Sequence, residues 1–523
     1  MTHLLTDEQR LSELTEEQRN ARFSTLQERL LPVWEAMRLD HPGESIVVVP
    51  SVAPPVNDVS GAAVQALEER FLFLLLLLRQ PRLRVLYVTG RPVPEQIVDY
   101  YLGLLPGVIP HQARGRLHML AANDGSPRLL AAKLLERPRL LAKLRALIPD
   151  PARCHIVPYS TTTLDRDLAL TLGVPLYGTD PRLERFGTKT GCRRLFAEAG
   201  VPHPIGVEDL RRPEAVVDAL ASMRAARPEM SAAIVKLNEG VSGRGNALVE
   251  LRDLPAPGAG DERSELRRRV DRMAFELAGT SLEGYLASLA RDGGIVEERI
   301  TGRELRSPSV QLRVTPPGEV ELLSTHDQLL GGPSGQSYLG CRFPADPAYA
   351  GTIAREAAKV GARLAHEGVL GRFAIDFVTV LDEHGRWDPY AIEVNLRKGG
   401  TTHPFLTLQF LTDGAYDEAS ATFVSASGRA KHLVATDHRE SPLLRGLTLD
   451  DLFEIAVLRG LHFDQARQTG VVFHMMGALT ELGQVGMTAV GDGPDEADAT
   501  YRRAERALLE GATPPPEQAL PAI

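Results

Sequence analysis

Two carboxylates, an amide and a guanidinium fall close together in Gly371–Leu381 and Ala391–Arg397: Asp376, then Glu393, Asn395 and Arg397. Residues 373–381 and 390–396 are rich in β-branched and aromatic types and alternate with period two, and the intervening Asp382-Glu-His-Gly-Arg386 has a turn composition. The pattern predicts a β-hairpin with Ile392, Val394 and Leu396 on one face and Glu393, Asn395 and Arg397 on the other. With the turn centred on His384-Gly385, Asp376 stands directly across from Glu393. Like charges facing each other across a ladder are destabilising, because their Cβ atoms are only about 4.5–5.5 Å apart. A shared divalent cation removes that penalty. Asp376, Glu393 and Asn395 offer oxygen donors, which suits Mg2+ or Mn2+ and not zinc. The competing reading is an exposed polar face on an edge hairpin.

A second group lies upstream. Lys236 closes the apolar run Ala232–Leu237 and precedes Asn238-Glu-Gly-Val-Ser-Gly-Arg-Gly-Asn246. Backbone N–H groups of such a loop can approach phosphate closely, and the ammonium adds charge. An ordinary hairpin turn has the same composition. Gly187-Thr-Lys-Thr190 lacks the residue order and spacing of a P-loop. Val296-Glu-Glu-Arg-Ile-Thr-Gly-Arg-Glu304 reads as a strand running into a charged turn. His326, Asp327 and Gln328 are candidate substrate contacts, with a surface-loop role as the alternative, and Gly331–Gln336 has the composition of a mobile lid. His403 either contacts substrate beside the metal ligands or opens a helix before Pro404. His474 sits in an apolar strand and reads as a core histidine.

The elements that must position these groups are legible in outline. Residues 1–40 are helical and amphipathic. Four short apolar runs, Ser45–Pro50, Arg84–Thr89, Leu117–Ala121 and His155–Pro158, alternate with helical stretches at 95–105 and 127–147, a pattern that predicts a parallel sheet. No G-x-G-x-x-G follows any of these strands. A helix over 188–199 stops at Gly200-Val-Pro202. Residues 253–265 read as a surface loop, 294–300 and 310–314 as strands, and a further unit begins near 430. The tail from Thr513 is proline-rich and expected to be disordered.

Bulk properties narrow the field. A chain of 523 residues exceeds one ordinary core, so several domains are expected. The net charge of −9 carries no electrostatic footprint for nucleic acid. Three cysteines without metal-type spacing argue for a reducing compartment. The eight-residue apolar run Phe71–Leu78, flanked by charges, is too short to cross a bilayer, and no secretory signal pattern opens the chain. A cytoplasmic, membrane-free protein is the expectation.

Taken in order, these motifs resemble the ATP-grasp superfamily, and specifically its carboxylate–amine ligases. Asn395-Leu-Arg-Lys-Gly-Gly-Thr-Thr-His-Pro404, Ser324-Thr-His-Asp-Gln-Leu-Leu-Gly-Gly332, Tyr338-Leu-Gly-Cys-Arg-Phe-Pro-Ala345 and Gly470–Gly486 look most like pheganomycin-type peptide ligases. The resemblance implies an α/β and α+β multidomain chain. It has a Rossmann-like pre-ATP-grasp domain (1–182), a two-lobed ATP-grasp fold (183–430) and a small C-terminal α+β domain (431–512), with 513–523 as tail. It implies ATP with Mg2+ or Mn2+, a small-molecule carboxylate, an amine or peptide acceptor, and a homodimer. Lys189 and Lys236 match the nucleotide lysines, and Gly240, Ser242, Gly243 and Gly245 the phosphate loop. Glu297, Glu298 and Ile300 match the adenine hinge, and Glu304 the ribose-binding acid. Asp376, Glu393 and Asn395 match the metal ligands, although some relatives carry glutamate at the first. Arg397 matches the arginine that stabilises transition-state charge, with Arg372 and Arg193 as further carry-overs. The implied reaction is amide formation through an acyl phosphate. A carboxylase-like or kinase-like enzyme and a non-catalytic ATP-binding scaffold are the alternatives.

Overall fold

The computed structural model describes residues 11–38, 44–52, 60–239, 245–277, 279–331, 335 and 337–512. The four apolar runs form a parallel sheet in the order Leu117–Ala121, Arg84–Thr89, Ser45–Val49, Cys154–Pro158. The two inner strands are buried along nearly their whole length, as expected where helices cover both faces. The helical stretch at 127–147 is two helices, Leu130–Leu135 and Pro138–Leu147, because proline cannot donate inside a helix and here starts a new one. Phe71–Leu78 lies within a buried 3-10 helix, Arg70–Arg79. Among the described residues no helix is long and apolar enough to cross a membrane.

A five-stranded antiparallel sheet follows, ordered Gly206–Leu210, Gly294–Glu298, Ala232–Leu237, Asn246–Glu250, Ala274–Phe275. Leu220 and Met223 of helix Pro213–Ala226, Leu266 of Glu262–Asp271 and Leu289 of Leu282–Asp292 share its core. The expected surface loop at 253–265 thus ends in a helix from Glu262, and the strand read over 294–300 stops at Glu298.

A nine-stranded sheet carries the hairpin. Strand Gly371–Leu381 pairs with Pro308–Val314 on one side and Trp387–Asn395 on the other. Asp376 is opposite Glu393 and Ala374 opposite Asn395. The route to this pairing differs from expectation. The tip pairs Leu381 with Trp387, which centres the turn on His384 and by itself would set Asp376 opposite Ile392. Phe377 pairs with Ala391, so Ile392 is left as a bulge, and the extra residue shifts Glu393 into place.

The segment beyond 430 does not form a separate sheet. His432–Glu440 pairs with Ser337–Phe343 (Cys341 opposite Ala435), and Gln484–Gly491 and Gly470–His474 continue the same sheet. One apolar core runs from Phe71–Leu76 through Phe405 and Leu408 to Val471–Phe473 and Met487, joining the first and last parts of the chain.

Candidate active site

The rung formed by Asp376 and Glu393 gains three neighbours. Asn395 Nδ2 donates to Asp376 Oδ2 at 3.0 Å, and Lys189 Nζ lies 2.6 Å from Glu393 Oε1. Ser309 stands opposite Asp376 on the other adjoining strand. Lys189 opens helix Lys189–Ala199, whose first turn is capped by the Thr188 hydroxyl accepting from Gly191 N at 3.0 Å. A cation in a first turn is opposed by the helix dipole, so this lysine is held by its partner and not by the helix. Burial, then the neighbouring Glu393, pushes the Asp376 carboxyl up to about 6. Burial also acts against Glu393, yet Lys189, Arg397 and Lys236 together hold it below its ordinary value. Two adjacent carboxylates and an amide oxygen, one carboxylate strained toward protonation, form a donor set that fits a hard divalent cation.

The stretch after Asn395 is pinned on both sides. Arg397 Nη1 donates to Tyr159 Oη at 3.0 Å, with the guanidinium 5.6 Å from the ring centroid. Lys398 turns to the carbonyl of Pro158, and burial lowers its ammonium to about 7. Beneath, Thr402 Oγ1 donates to Gln311 Oε1 at 2.9 Å, and Gln311 Nε2 donates to the Thr401 carbonyl at 2.9 Å. His326 lies under this link, its Nε2 3.1 Å from Gln311 Nε2 and 2.9 Å from Ser324 Oγ. It is fully buried, and burial depresses its imidazole to about 3, so it is neutral.

In the other lobe Lys236 forms an ion pair with Glu297, which Arg193 Nη1 also approaches at 3.4 Å. Arg193 further contacts Glu208 at 2.6 Å and donates to the Pro204 carbonyl at 2.7 Å. Asn238 Oδ1 accepts from Thr190 N at 3.0 Å, tying the end of this strand to the Lys189 helix.

Two family models match the chain. One described as "IQCH-like, ATP-grasp" covers residues 182–265 and 264–418, and one described as "PGM1 C-terminal domain" covers 451–504. L-Propargylglycine–L-glutamate ligase of Streptantibioticus cattleyicolor is 31% identical over 457 residues, 85% of this chain and 90% of that protein. This chain is an ATP-grasp carboxylate–amine ligase. The ligase is also 26% identical over 476 residues to IQ motif-containing protein H of Danio rerio, spanning 44% of that protein's length. Its fold matches biotin carboxylase of Campylobacter jejuni with a TM-score of 0.53 at 14% identity, over 90% of the ligase and 95% of that chain. The biotin carboxylase domain of Hydrogenobacter thermophilus 2-oxoglutarate carboxylase matches with a TM-score of 0.51 at 12% identity, over 88% and 89%.

Of the residues singled out in the sequence, the fold brings Lys189, Asp376, Glu393, Asn395 and Arg397 together, with Lys236 close enough to lower Glu393. Others lie elsewhere in the ligase. Glu298 pairs with Arg227 at 2.6 Å, and Glu304 pairs with Arg306. Asp327 accepts from Asp346 N at 3.0 Å and Tyr349 Oη at 2.7 Å, fastening the start of helix Pro347–His366. Gln328 donates its backbone N–H to the Ser307 carbonyl, and Ile300 lies just past the end of strand Gly294–Glu298. His403 is buried against His474 and Asp437. Gly245 accepts from Leu237 N and Tyr285 Oη, each at 3.0 Å, while Gly240, Ser242, Gly243 and most of the 331–336 lid lie outside the described residues.

Arg372 stands opposite Arg313, four residues before Asp376 in the same strand. Burial, then Arg313, lowers its guanidinium to about 10, and its Nη1 is buried without a hydrogen-bond partner among the described residues. The nearby Tyr177 Oη is in the same condition. Sequence reading passed over Tyr159 and Tyr177. The usable signal for Tyr159 was its place just past the carboxyl end of a parallel strand, where α/β sheets bind ligands.

Proposed function

We propose that this ligase uses ATP to activate the carboxylate of an amino acid or related small acid as an acyl phosphate, then joins it to the amine of an amino acid or short peptide. The observation that carries the reading is the rung of Asp376 and Glu393 with Asn395 beside it and Arg397 held against Tyr159. The relative that supports it is named for joining L-propargylglycine to L-glutamate.

A carboxylate is a poor electrophile because its leaving group would be oxide; phosphorylation supplies a better one. Asp376, Glu393 and Asn395 would hold Mg2+ or Mn2+, which when bound neutralises charge on the phosphate chain. Lys189 and Lys236 would contact phosphate and nucleotide, exchanging their present carboxylate partners for the ligand. Arg397 would stabilise negative charge as the amine attacks, and Tyr159 fixes its direction in advance. Arg372 Nη1 and Tyr177 Oη, buried atoms without a partner among the described residues, would take an anionic group of the acid at the far end of the same face. A homodimer and a cytoplasmic location belong to the same reading; one structural neighbour is described as a dimer.

Hydroxylamine trapping with a panel of amino acids and dipeptides tests it. Hydroxamate formed with ATP and one acid, together with ADP, is expected. ADP release without hydroxamate would replace ligation by another phosphoryl transfer, and no ADP with any acid would leave a binding scaffold.

A further inference from the structure

Three ligand-type atoms converge away from the Asp376–Glu393 rung. His403 Nε2 lies 3.0 Å from His474 Nε2 and 3.0 Å from Asp437 Oδ1, and His474 Nε2 lies 3.1 Å from the same oxygen. The three residues are 2–3% exposed and come from three separate elements: helix Thr402–Thr412, strand His432–Glu440 and strand Gly470–His474. Among the described residues this is the one group of three His, Cys, Asp or Glu ligand atoms lying within 4.8 Å of one another.

Hydrogen bonding alone does not satisfy this triangle. A carboxylate oxygen only accepts, and an imidazole Nε2 either donates or accepts. If both Nε2 atoms carry protons, both donate to Asp437 but their N–H groups oppose each other. If one does, the lone pair of the other faces the carboxylate. If neither does, three lone pairs converge. In every neutral-imidazole arrangement at least one of the three contacts is repulsive, in a site too buried for water to screen it. A cation capping the triangle makes all three attractive. With edges of 3.0–3.1 Å, a cation about 2.1 Å from each atom subtends angles of about 90° between them, as on one face of an octahedron.

We infer that His403, Asp437 and His474 form a binding site for one divalent first-row transition ion, of the zinc or iron(II) class, separate from the all-oxygen magnesium ligands. Two imidazoles and one carboxylate favour such ions over Mg2+. The other oxygen of Asp437 lies 2.9 Å from Arg70 Nη2, an ion pair on the outer side of the carboxylate. Among the described residues His403 Nδ1 has no partner, so that ring is without the outer acceptor typical of the tightest metal histidines. The ion ties the start of the helix that follows the Arg397 loop to the two C-terminal strands. It therefore acts as a positioning element behind the active site and not as a reacting group.

The test uses the full-length protein, stripped with a chelator, reloaded with Zn2+ or Co2+ in the presence of excess Mg2+, and desalted. About one equivalent of metal should be retained, Co2+ should show ligand-field absorption, and Zn2+ should raise the thermal midpoint. His474→Gln and Asp437→Asn should lose the bound metal, while Glu393→Gln should keep it. Wild-type protein that retains no first-row metal after loading overturns the inference, whether or not the variants fold. Retention that survives in folded His474→Gln and Asp437→Asn overturns it too, because the ion then lies elsewhere.

Discussion

The ammonium of Lys189 lies 2.6 Å from a carboxylate oxygen of Glu393, joining the first turn of a helix to the outer strand of the hairpin. Lys236 makes the matching pair with Glu297 in the other lobe. Without nucleotide, both lysines are neutralised by acids of the protein itself. On the proposed reading, binding of a phosphate chain and its cation would exchange these partners, phosphate for Lys189 and metal for Glu393.

Glu393→Gln separates catalysis from folding. The amide keeps an oxygen for Lys189 and removes one of two adjacent carboxylates, relieving the repulsion that raises Asp376. Turnover should fall by at least about 100-fold, while the thermal midpoint moves by only a few degrees. Steady-state ADP release and a thermal melt check both halves; global unfolding of the variant would count against a metal role.

Arg397→Lys keeps a positive charge but loses the planar contact with Tyr159. The turnover number is expected to fall by about 10²–10³-fold with little change in ATP affinity, the pattern of an interaction made in the transition state. Tyr159→Phe should give a smaller loss of the same kind. An ATP Kd that weakens as much as turnover falls would place Arg397 in nucleotide binding.

Acid should weaken metal binding. Asp376 in the metal-free protein ionises near 6, above its ordinary value, so its ionisation opposes folding. That contribution is most favourable below about pH 4 and is lost as pH rises through about 6. As a ligand of Mg2+, Asp376 would bind the ion in competition with the proton, so stabilisation by Mg2+ with a non-hydrolysable ATP analogue should grow between about pH 5 and 7. Thermal melts with and without Mg2+ across this window measure it; a flat difference would argue against Asp376 as a ligand.

Arg372→Met and Tyr177→Phe address the acid substrate. Each removes a buried polar group that has no partner within the described protein, so neither should lower stability much. The KM for the acid should rise about 10-fold or more in Arg372→Met, with the KM for ATP unchanged. Unchanged kinetics for every acid tested would remove Arg372 from the substrate site.

Much of the site was legible because its signals are local. Alternation in 373–381 and 390–396 assigns faces, apolar runs mark the buried parallel strands, and Gly200-Val-Pro202 marks the end of the Lys189 helix. The fate of Asp327 and His326 was not legible. Both sit in one strand beside candidate contacts, but the fold turns Asp327 to a helix start and buries His326 beneath Gln311. Partners such as Asp346, Tyr349 and Gln311 come from other segments, and no spacing within the strand announces them.

Which side chains share a face follows from local sequence alone, because pleating alternates residues with a period of two. Local sequence did not determine which residues meet across the hairpin. The turn centres on His384, and Asp376 faces Glu393 because Ile392 bulges from the outer strand. A bulge depends on packing against neighbouring elements, here the Lys189 helix, where Cys192 Sγ lies 3.2 Å from Val394 N. Likewise, the junction of Arg397 with Tyr159 and the merging of the C-terminal strands into the large sheet depend on contacts between distant segments. Local pattern specifies the pieces; only the assembled core decides the register in which they meet.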